Sequence, residues 1–355
     1  MSASIYHGAN PITVYFGILI FAFIITSLAI IPFINFLYKI KFIRRVQTTI
    51  SPEGLKLITY DKLSNWKAGT PVGGGALIII LVTLLFGLLF STLQQLGIYI
   101  NSAHQVNKEI LIIFFTFISF GLLGLYDDLF KFFKTKDRGF FGLRFKAKFA
   151  IQWILAIFIG FLLYQQLGIG NLNIPSTGIN IHLGWLYIPV AAFIIVTFTN
   201  AFNITDGLDG LSSGILMISL FALWAISSTV LDTILSLFIA LWIGSLVAFL
   251  YFNIYPARII VGDVGALSFG ATFAVVGLLL GKPLALFIIG GLFLVEGGSS
   301  LIQLLSRKFL KRRIFPAAPF HLTLQKMGWP EPKIVFRAWL AAIMLGIFGA
   351  WLATL

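Results

Sequence analysis

Ten apolar stretches separated by short polar ones make up most of the chain: residues 12–37, 72–93, 110–126, 149–167, 185–202, 211–230, 233–254, 264–281, 284–305 and 334–354. Each approaches the roughly 20 residues that a helix needs to cross a hydrocarbon core. An open sheet in lipid would leave its edge hydrogen bonds unpaired, so all ten are predicted as helices. Only residues 168–184, GIGNLNIPSTGINIHLG, alternate apolar and polar positions, and around PSTG they predict a short hairpin. The first run spans 26 residues without a basic segment before it or a small-residue cleavage site, and reads as a spanning helix rather than a removed leader. No internal repeat, low-complexity tract or domain-sized insertion interrupts the pattern. The expected organisation is a single polytopic membrane domain over residues 1–355.

Composition agrees with that pattern. Hydrophobic residues make up 59% of the chain and charged ones 10%, far too few to cover a water-facing surface. The absence of cysteine excludes disulfides, thiolate catalysis and thiolate metal sites. Charge adds an orientation. With the N-terminus outside, the segments 38–71, 127–148 and 306–337, together with Arg258, hold 23 of the 25 Lys and Arg on the inside, leaving Lys108 and Lys282 outside. The positive-inside rule then puts both termini, and the 168–184 hairpin, outside. The net charge of +13 becomes a one-sided field suited to anionic lipid and anionic substrates.

Against that topology the 12 acidic residues are not scattered. Glu53, Asp61, Asp127, Asp128, Asp137, Asp206, Asp209, Asp263 and Glu331 fall inside, Glu109 and Asp232 outside, and Glu296 within the ninth run. Three stretches carry the chemistry: YDDLFK (126–131), NAFNITDGLDG (200–210) and FNIYPARIIVGDVGALSFG (252–270). Adjacent carboxylates such as Asp127 and Asp128 repel one another unless a cation sits beside them, which suits a hard metal or a general base. Oxygen ligands without cysteine or a histidine cluster favour Mg²⁺ over Zn²⁺, with one or two carboxylates, water and phosphate oxygens completing the shell. Any one of these acids also reads as a solvated loop residue or a helix cap. Asp209, just before GLSSG, is the clearest such case. Glycines in DGLDG, VGDVG and GTPVGGG (69–75) allow tight turns that aim N–H groups at an anion. Lys67, Lys131 and Lys148 lie beside these elements as point-charge partners for phosphate. Carboxylates, a metal, Asn amides and lysines at a bilayer surface are what phosphoryl transfer to a lipid phosphate requires.

GLYDDLFK, NAFNITDGLDGL, FNIYPARIIVGDVGALSFG and RRIFPAAPFHLTLQKMGWPEPKIVFRAW occur in that order among ten apolar runs. In these motifs, and over nearly its whole length, the chain resembles the polyprenyl-phosphate N-acetylhexosamine-1-phosphate transferase family, and GWPEPK resembles its muramoyl-peptide branch. The resemblance implies transfer from UDP-MurNAc-pentapeptide to undecaprenyl phosphate, giving lipid I and UMP with Mg²⁺, in the bacterial cytoplasmic membrane as a step of peptidoglycan synthesis. The implied partners are those two substrates and the bilayer, not nucleic acid, and a homodimer stays open. Carried over by position, Asp127, Asp128, Asp263 and His321 are the catalytic group. Asp127 is the base toward the lipid phosphate, and Asp263 and Asp128 are the metal ligands. Lys67, Lys131, Lys148, Asn203, Asp206, Asp209, Asn253 and Ile260 line the substrate site.

The chain also departs from the family pattern. Where the family reads HHH, this chain reads His321, Leu322, Thr323. Val72 replaces a threonine, Ile260 replaces an aromatic expected to stack on uracil, and SPEGLKLITYDKLSN before KAGTP is not the usual form. A relative using UDP-GlcNAc or another UDP-HexNAc is therefore the alternative reading. A transporter with a midplane ion site is the remote one, disfavoured because the carboxylates gather at one face. Glu296, costly at membrane depth, reads as functional or paired, and 315–327 reads as an interfacial segment that aims His321 at the pocket. His7, His104 and His182 read as outside surface residues.

Overall fold

The computed structural model describes residues 11–44, 67–92, 95, 100–133, 145–174 and 179–355. In chain order it has α1 (Pro11–Lys39), α2 (Gly74–Phe90), α3 (Val106–Phe133), α4 (Phe145–Leu167), β1 (Asn171–Ile174), β2 (Ile179–His182), α5 (Tyr187–Thr205), α6 (Leu211–Thr229) and α7 (Thr233–Asn253). It continues with α8 (Gly262–Leu279), α9 (Pro283–Ile289), α10 (Gly291–Leu305), α11 (Phe320–Lys326) and α12 (Glu331–Thr354). Of the described helices, α1, α3 to α8 and α12, eight in all, are long and apolar enough to cross a membrane. The chain is a multi-pass integral membrane protein.

Every one of the ten apolar runs contains a helix, but two do not make a plain span. The run 72–93 yields α2, whose 17 residues reach only about 25 Å at 1.5 Å per residue, short of a ~30 Å hydrocarbon core. The run 284–305 is broken: α9 and the element that begins with α10 meet at a bend of 75°. The break falls at Gly290, where a Cβ would lie 2.4 Å from the Phe198 ring. β1 and β2 pair antiparallel, Asn171 opposite His182 and Ile174 opposite Ile179, and Asn171 Oδ1 lies 2.7 Å from His182 Nδ1. The turn between the strands, residues 175–178, lies outside the described residues, as do His7, Glu53, Asp61 and Asp137.

Burial sorts the helices. α7 and α8 are buried over almost their whole length and form the axis of the bundle. Helices apolar on every side belong in such a position. Between them and α3, the Trp242 ring centre lies 5.4 Å from that of Phe117 in an edge-on contact, as aromatic pairs prefer, and 5.5 Å from those of Phe238 and Phe269 in tilted ones. α1, α4 and α12 instead expose large apolar side chains such as Phe36, Ile154 and Met344, which suits lipid as solvent. Small residues let the central backbones touch, as membrane helices require where apolar burial alone gives no preference: a Cβ on Gly75 of α2 would stand 2.2 Å from Gly265 Cα of α8.

The polar residues are gathered by this packing. The C-terminal end of α3, the start of α4, the α5–α6 turn, the end of α7, the start of α8 and the start of α12 meet on one side of the bundle, as the ion pairs and hydrogen bonds below show.

Candidate active site

Asp127, Asp128 and Lys131 close the last turns of α3, a helix of 28 residues. Lys131 Nζ reaches back one turn to Asp127 Oδ2 at 3.0 Å and across to Asp263 Oδ2 at 2.9 Å. Lys148, from the first turn of α4, lies 2.8 Å from Asp127 Oδ2 and also contacts Asp263 Oδ2. Gly262, with φ of +78°, makes the turn that starts α8 and delivers Asp263 to this point. Any other residue would be strained there, and a Cβ would meet Asp128 Oδ2 at 2.9 Å. Asp128 Oδ2 accepts the N–H of Val264 at 3.0 Å, so it occupies the positive end of α8. Asp127 and Asp263 thus share two ammonium groups, with Asp128 beside them on the Val264 N–H.

A second cluster adjoins it. Lys67 Nζ is 2.7 Å from Asp209 Oδ1 and 2.7 Å from Glu331 Oε1, and donates to the Gly207 carbonyl at 3.2 Å. All three ionic side chains are at most 6% exposed. Asp209 is not a cap: α6 begins on Gly210 in a left-handed conformation, and Asp209 Oδ2 instead accepts the Ala257 N–H at 2.9 Å. Asp206 follows α5 and accepts the Ser212 hydroxyl at 2.6 Å. Burial pushes Asp206 up to about 6, while Ser212, Lys67 and Arg44 pull it down and Asp263 pushes it up, so the two clusters are within electrostatic reach. Asn253 ties the end of α7 to this region, accepting from Ser213 and donating to the Ile259 carbonyl at 2.9 Å. Asn203 lies half-buried in the last turn of α5.

His321 comes to the same place from α11. Its Nδ1 lies 2.9 Å from Glu296 Oε2, and its backbone N–H is 3.2 Å from each Glu296 oxygen. The other ring nitrogen faces the α5–α6 turn, where a Cβ on Gly207 would stand 2.5 Å from it. In sequence, Glu296 reads as functional or paired. It is paired, and it orients the histidine. Glu331, which the sequence gives no place in the site, is the joint of the second cluster. The signal was its position within GWPEPK, at the first residue of α12.

One expectation fails. The N–H groups of GTPVGGG do not point at an anion: Gly73 and Gly74 donate to the Ile260 carbonyl at 3.2 and 2.9 Å, and Gly75 donates to the Val261 carbonyl at 2.9 Å. The glycines instead let this loop lie against residue 260 in a single parallel bridge from Val72, and the Ile260 N–H donates to the Pro71 carbonyl at 2.9 Å. Ile260 is thereby fixed by its backbone with a half-buried side chain. Ile260→Phe is expected to lower the KM for a uridine donor about tenfold, using the ~1–3 kcal/mol of a stacked base. An unchanged KM in steady-state assays would mean that the base binds elsewhere.

Glu331→Ala is expected to lower Tm and raise the KM for the nucleotide donor. It strips an acceptor from the Asp209 N–H, held at 2.5 Å, and one of the two carboxylates from Lys67, a buried loss of about 1–3 kcal/mol. A thermal melt beside donor titration reads both effects.

The oxygen-only donor set fits Mg²⁺ in kind. Among the described residues no three His, Asp or Glu side chains converge to hold a metal alone. Mg²⁺ uses one or two carboxylates and takes water and substrate phosphates for the rest, so Asp263 and Asp128 would be a sufficient protein share.

A multi-pass helical membrane protein with paired aspartates, lysines and an oriented histidine at one face defines a class of membrane-embedded phosphotransferase. Residues 110–281 match the family model described as Glycosyl transferase family 4. The chain is 37% identical over 291 residues to the phospho-N-acetylmuramoyl-pentapeptide-transferase of Staphylococcus haemolyticus, covering 81% of this chain and 86% of that one. It is 34% identical to the Clostridium perfringens protein of the same name, over 89% and 90% of the two chains, and 32% identical to that of Oceanobacillus iheyensis, over 94% and 96%. The chain belongs to the phospho-N-acetylmuramoyl-pentapeptide-transferase family.

Proposed function

We propose that this protein transfers phospho-MurNAc-pentapeptide from UDP-MurNAc-pentapeptide to undecaprenyl phosphate, giving lipid I and UMP, at the inner face of the bacterial cytoplasmic membrane. The observation that carries the reading is the union of Asp127, Asp128, Lys131, Lys148 and Asp263, drawn from three helices, at the same end of the bundle as His321 and the Lys67–Asp209–Glu331 cluster. A bundle that served only lipid packing would not concentrate its few carboxylates there.

In this reading a phosphate oxygen of the lipid acceptor attacks the sugar-bound phosphorus of the donor. The new P–O bond makes the lipid pyrophosphate, the bond to the UMP oxygen breaks, and UMP leaves with its phosphate. Asp127 accepts the acceptor's proton when the phosphate arrives protonated. Lys131 and Lys148 hold Asp127 in place through their ion pairs. Asp263 and Asp128 would hold Mg²⁺, which supplies neutralisation of the pyrophosphate oxygens in the transition state. Lys67 and Asp206 lie on the donor side, and His321, fixed through Glu296, presents its second ring nitrogen to the α5–α6 turn. A homodimer and outside termini complete the proposal.

The test is product chemistry. Purified protein with both substrates and Mg²⁺ is expected to yield a solvent-extractable lipid whose mass is that of undecaprenyl phosphate plus phospho-MurNAc-pentapeptide. EDTA is expected to stop its formation and excess Mg²⁺ to restore it. Intact substrates after prolonged incubation would overturn the reading, and turnover that persists in EDTA would remove the metal from it.

A further inference from the structure

The segment that follows α10 serves neither the carboxylate cluster nor His321. Residues 307–313 read RKFLKRR, five cations in seven positions with no acidic residue. Among them Phe309 is 70% exposed, Leu310 57%, and the adjoining Ile314 50%. This segment is held in shape. The helix widens over Ser306–Leu310, and Lys311 reverses the chain with a left-handed φ of 52°. Buried Gln303 then ties the returning chain down: its Oε1 accepts the N–H groups of Ile314 at 3.2 Å and Phe315 at 3.0 Å, and its Nε2 donates to the Phe315 carbonyl at 3.1 Å. The Ser306 hydroxyl donates to the Arg312 carbonyl at 3.2 Å. The result is a preset hook that displays Phe309 and Leu310 with Lys308, Lys311, Arg312 and Arg313 around them. Lys308 Nζ lies 5.3 Å from the Phe309 ring. The hook belongs to the side of the bundle that carries the carboxylates, because α11, which follows it, sets His321 against Gly207.

We propose that the hook over residues 306–314 is an anchor for anionic phospholipid, with Phe309, Leu310 and Ile314 in the acyl boundary of the cytoplasmic leaflet and the surrounding cations on lipid phosphates. In water the hook would leave three large apolar side chains solvated. Deep in hydrocarbon it would carry four exposed charges. The interface is the one depth that satisfies both, and a purely cationic rim selects anionic over zwitterionic headgroups. Gln303 links the hook to the α10 helix that also bears Glu296, so the anchor holds the His321 support at a constant depth. The inference rests on the proposed inside placement of this face but not on the identity of the donor.

The chain has no cysteine, so Phe309→Cys can carry a single spin label without further changes. Reconstitution uses bilayers of phosphatidylcholine alone or with phosphatidylglycerol, without polyprenyl phosphate, so the outcome is independent of the transfer reaction. In the anionic bilayer the label is expected to collide several-fold more with oxygen than with a water-soluble nickel chelate. Phosphatidylcholine alone, or Arg312→Gln with Arg313→Gln, is expected to shift that balance toward the chelate. A label at Ile343→Cys, on the lipid-exposed side of α12, checks that each preparation is folded and inserted. Chelate access at position 309 equal to that of an aqueous loop would overturn the proposal. So would a depth indifferent to both headgroup charge and the arginine substitutions.

Discussion

Asp263→Ala is expected to abolish UMP release, by a factor on the order of 10³ or more, while the protein keeps its thermal transition. The asymmetry follows from the geometry. Lys131 and Lys148 each retain Asp127 when Asp263 is removed, at 3.0 and 2.8 Å, so no buried charge is orphaned. Loss of the Asp263 charge also relieves its repulsion against Asp128. What disappears is the carboxylate at the start of α8 that would hold the metal against the donor phosphates. Rate and melting temperature measured on the same preparation separate the two effects, and a wild-type-like rate would take Asp263 out of the site.

Gly124→Ala is expected to damage both stability and rate without touching a charged atom. Gly124 lies on α3 one turn before Asp127, and its missing side chain makes room for the start of α8. An added Cβ would stand 2.1 Å from the Asp263 carbonyl oxygen, 2.4 Å from its carbon and 2.6 Å from Val264 Cα. These are backbone atoms and cannot rotate away, so α3 or the start of α8 must shift. Overpacking of this kind costs about 1–3 kcal/mol or more. A displacement near 1 Å at the aspartates is expected to lower kcat by on the order of 10²-fold. Gly87→Ala is the matched control: nothing lies within 4 Å of its Cβ, and it removes a helix-interior glycine. Its rate and Tm are expected to stay at or slightly above the parent values.

The transmembrane character was legible because lipid leaves the backbone few options, and the ten apolar runs map onto helices one for one except at the last break. Two features of those runs were not legible. A count of apolar residues does not show that the GTPVGGG loop pairs with residue 260, nor that the Gly290–Gly291 step bends the chain by 75° with Gly290 packed against Phe198 of a different helix. The same divide runs through the site. Asp127 and Lys131, four residues apart on α3, follow from helix geometry. Lys148 joining them depends on the packing of α4, and Glu331 closing on Lys67 spans 264 residues. Asp209 was ambiguous in sequence because a cap and a buried ion-pair partner look alike before a helix. The left-handed Gly210 takes the cap position and frees Asp209 for Lys67.

His321 remains where the family pattern would have three histidines, and it alone is locked by Glu296. This bears on donor choice, because Leu322 and Thr323 offer no ring nitrogen to a substrate. The decisive measurement is UMP release by the purified protein with Mg²⁺ and undecaprenyl phosphate, comparing UDP-MurNAc-pentapeptide with UDP-GlcNAc. The account predicts release with the muramoyl-peptide donor alone. Release with UDP-GlcNAc alone, or with neither donor, would contradict it.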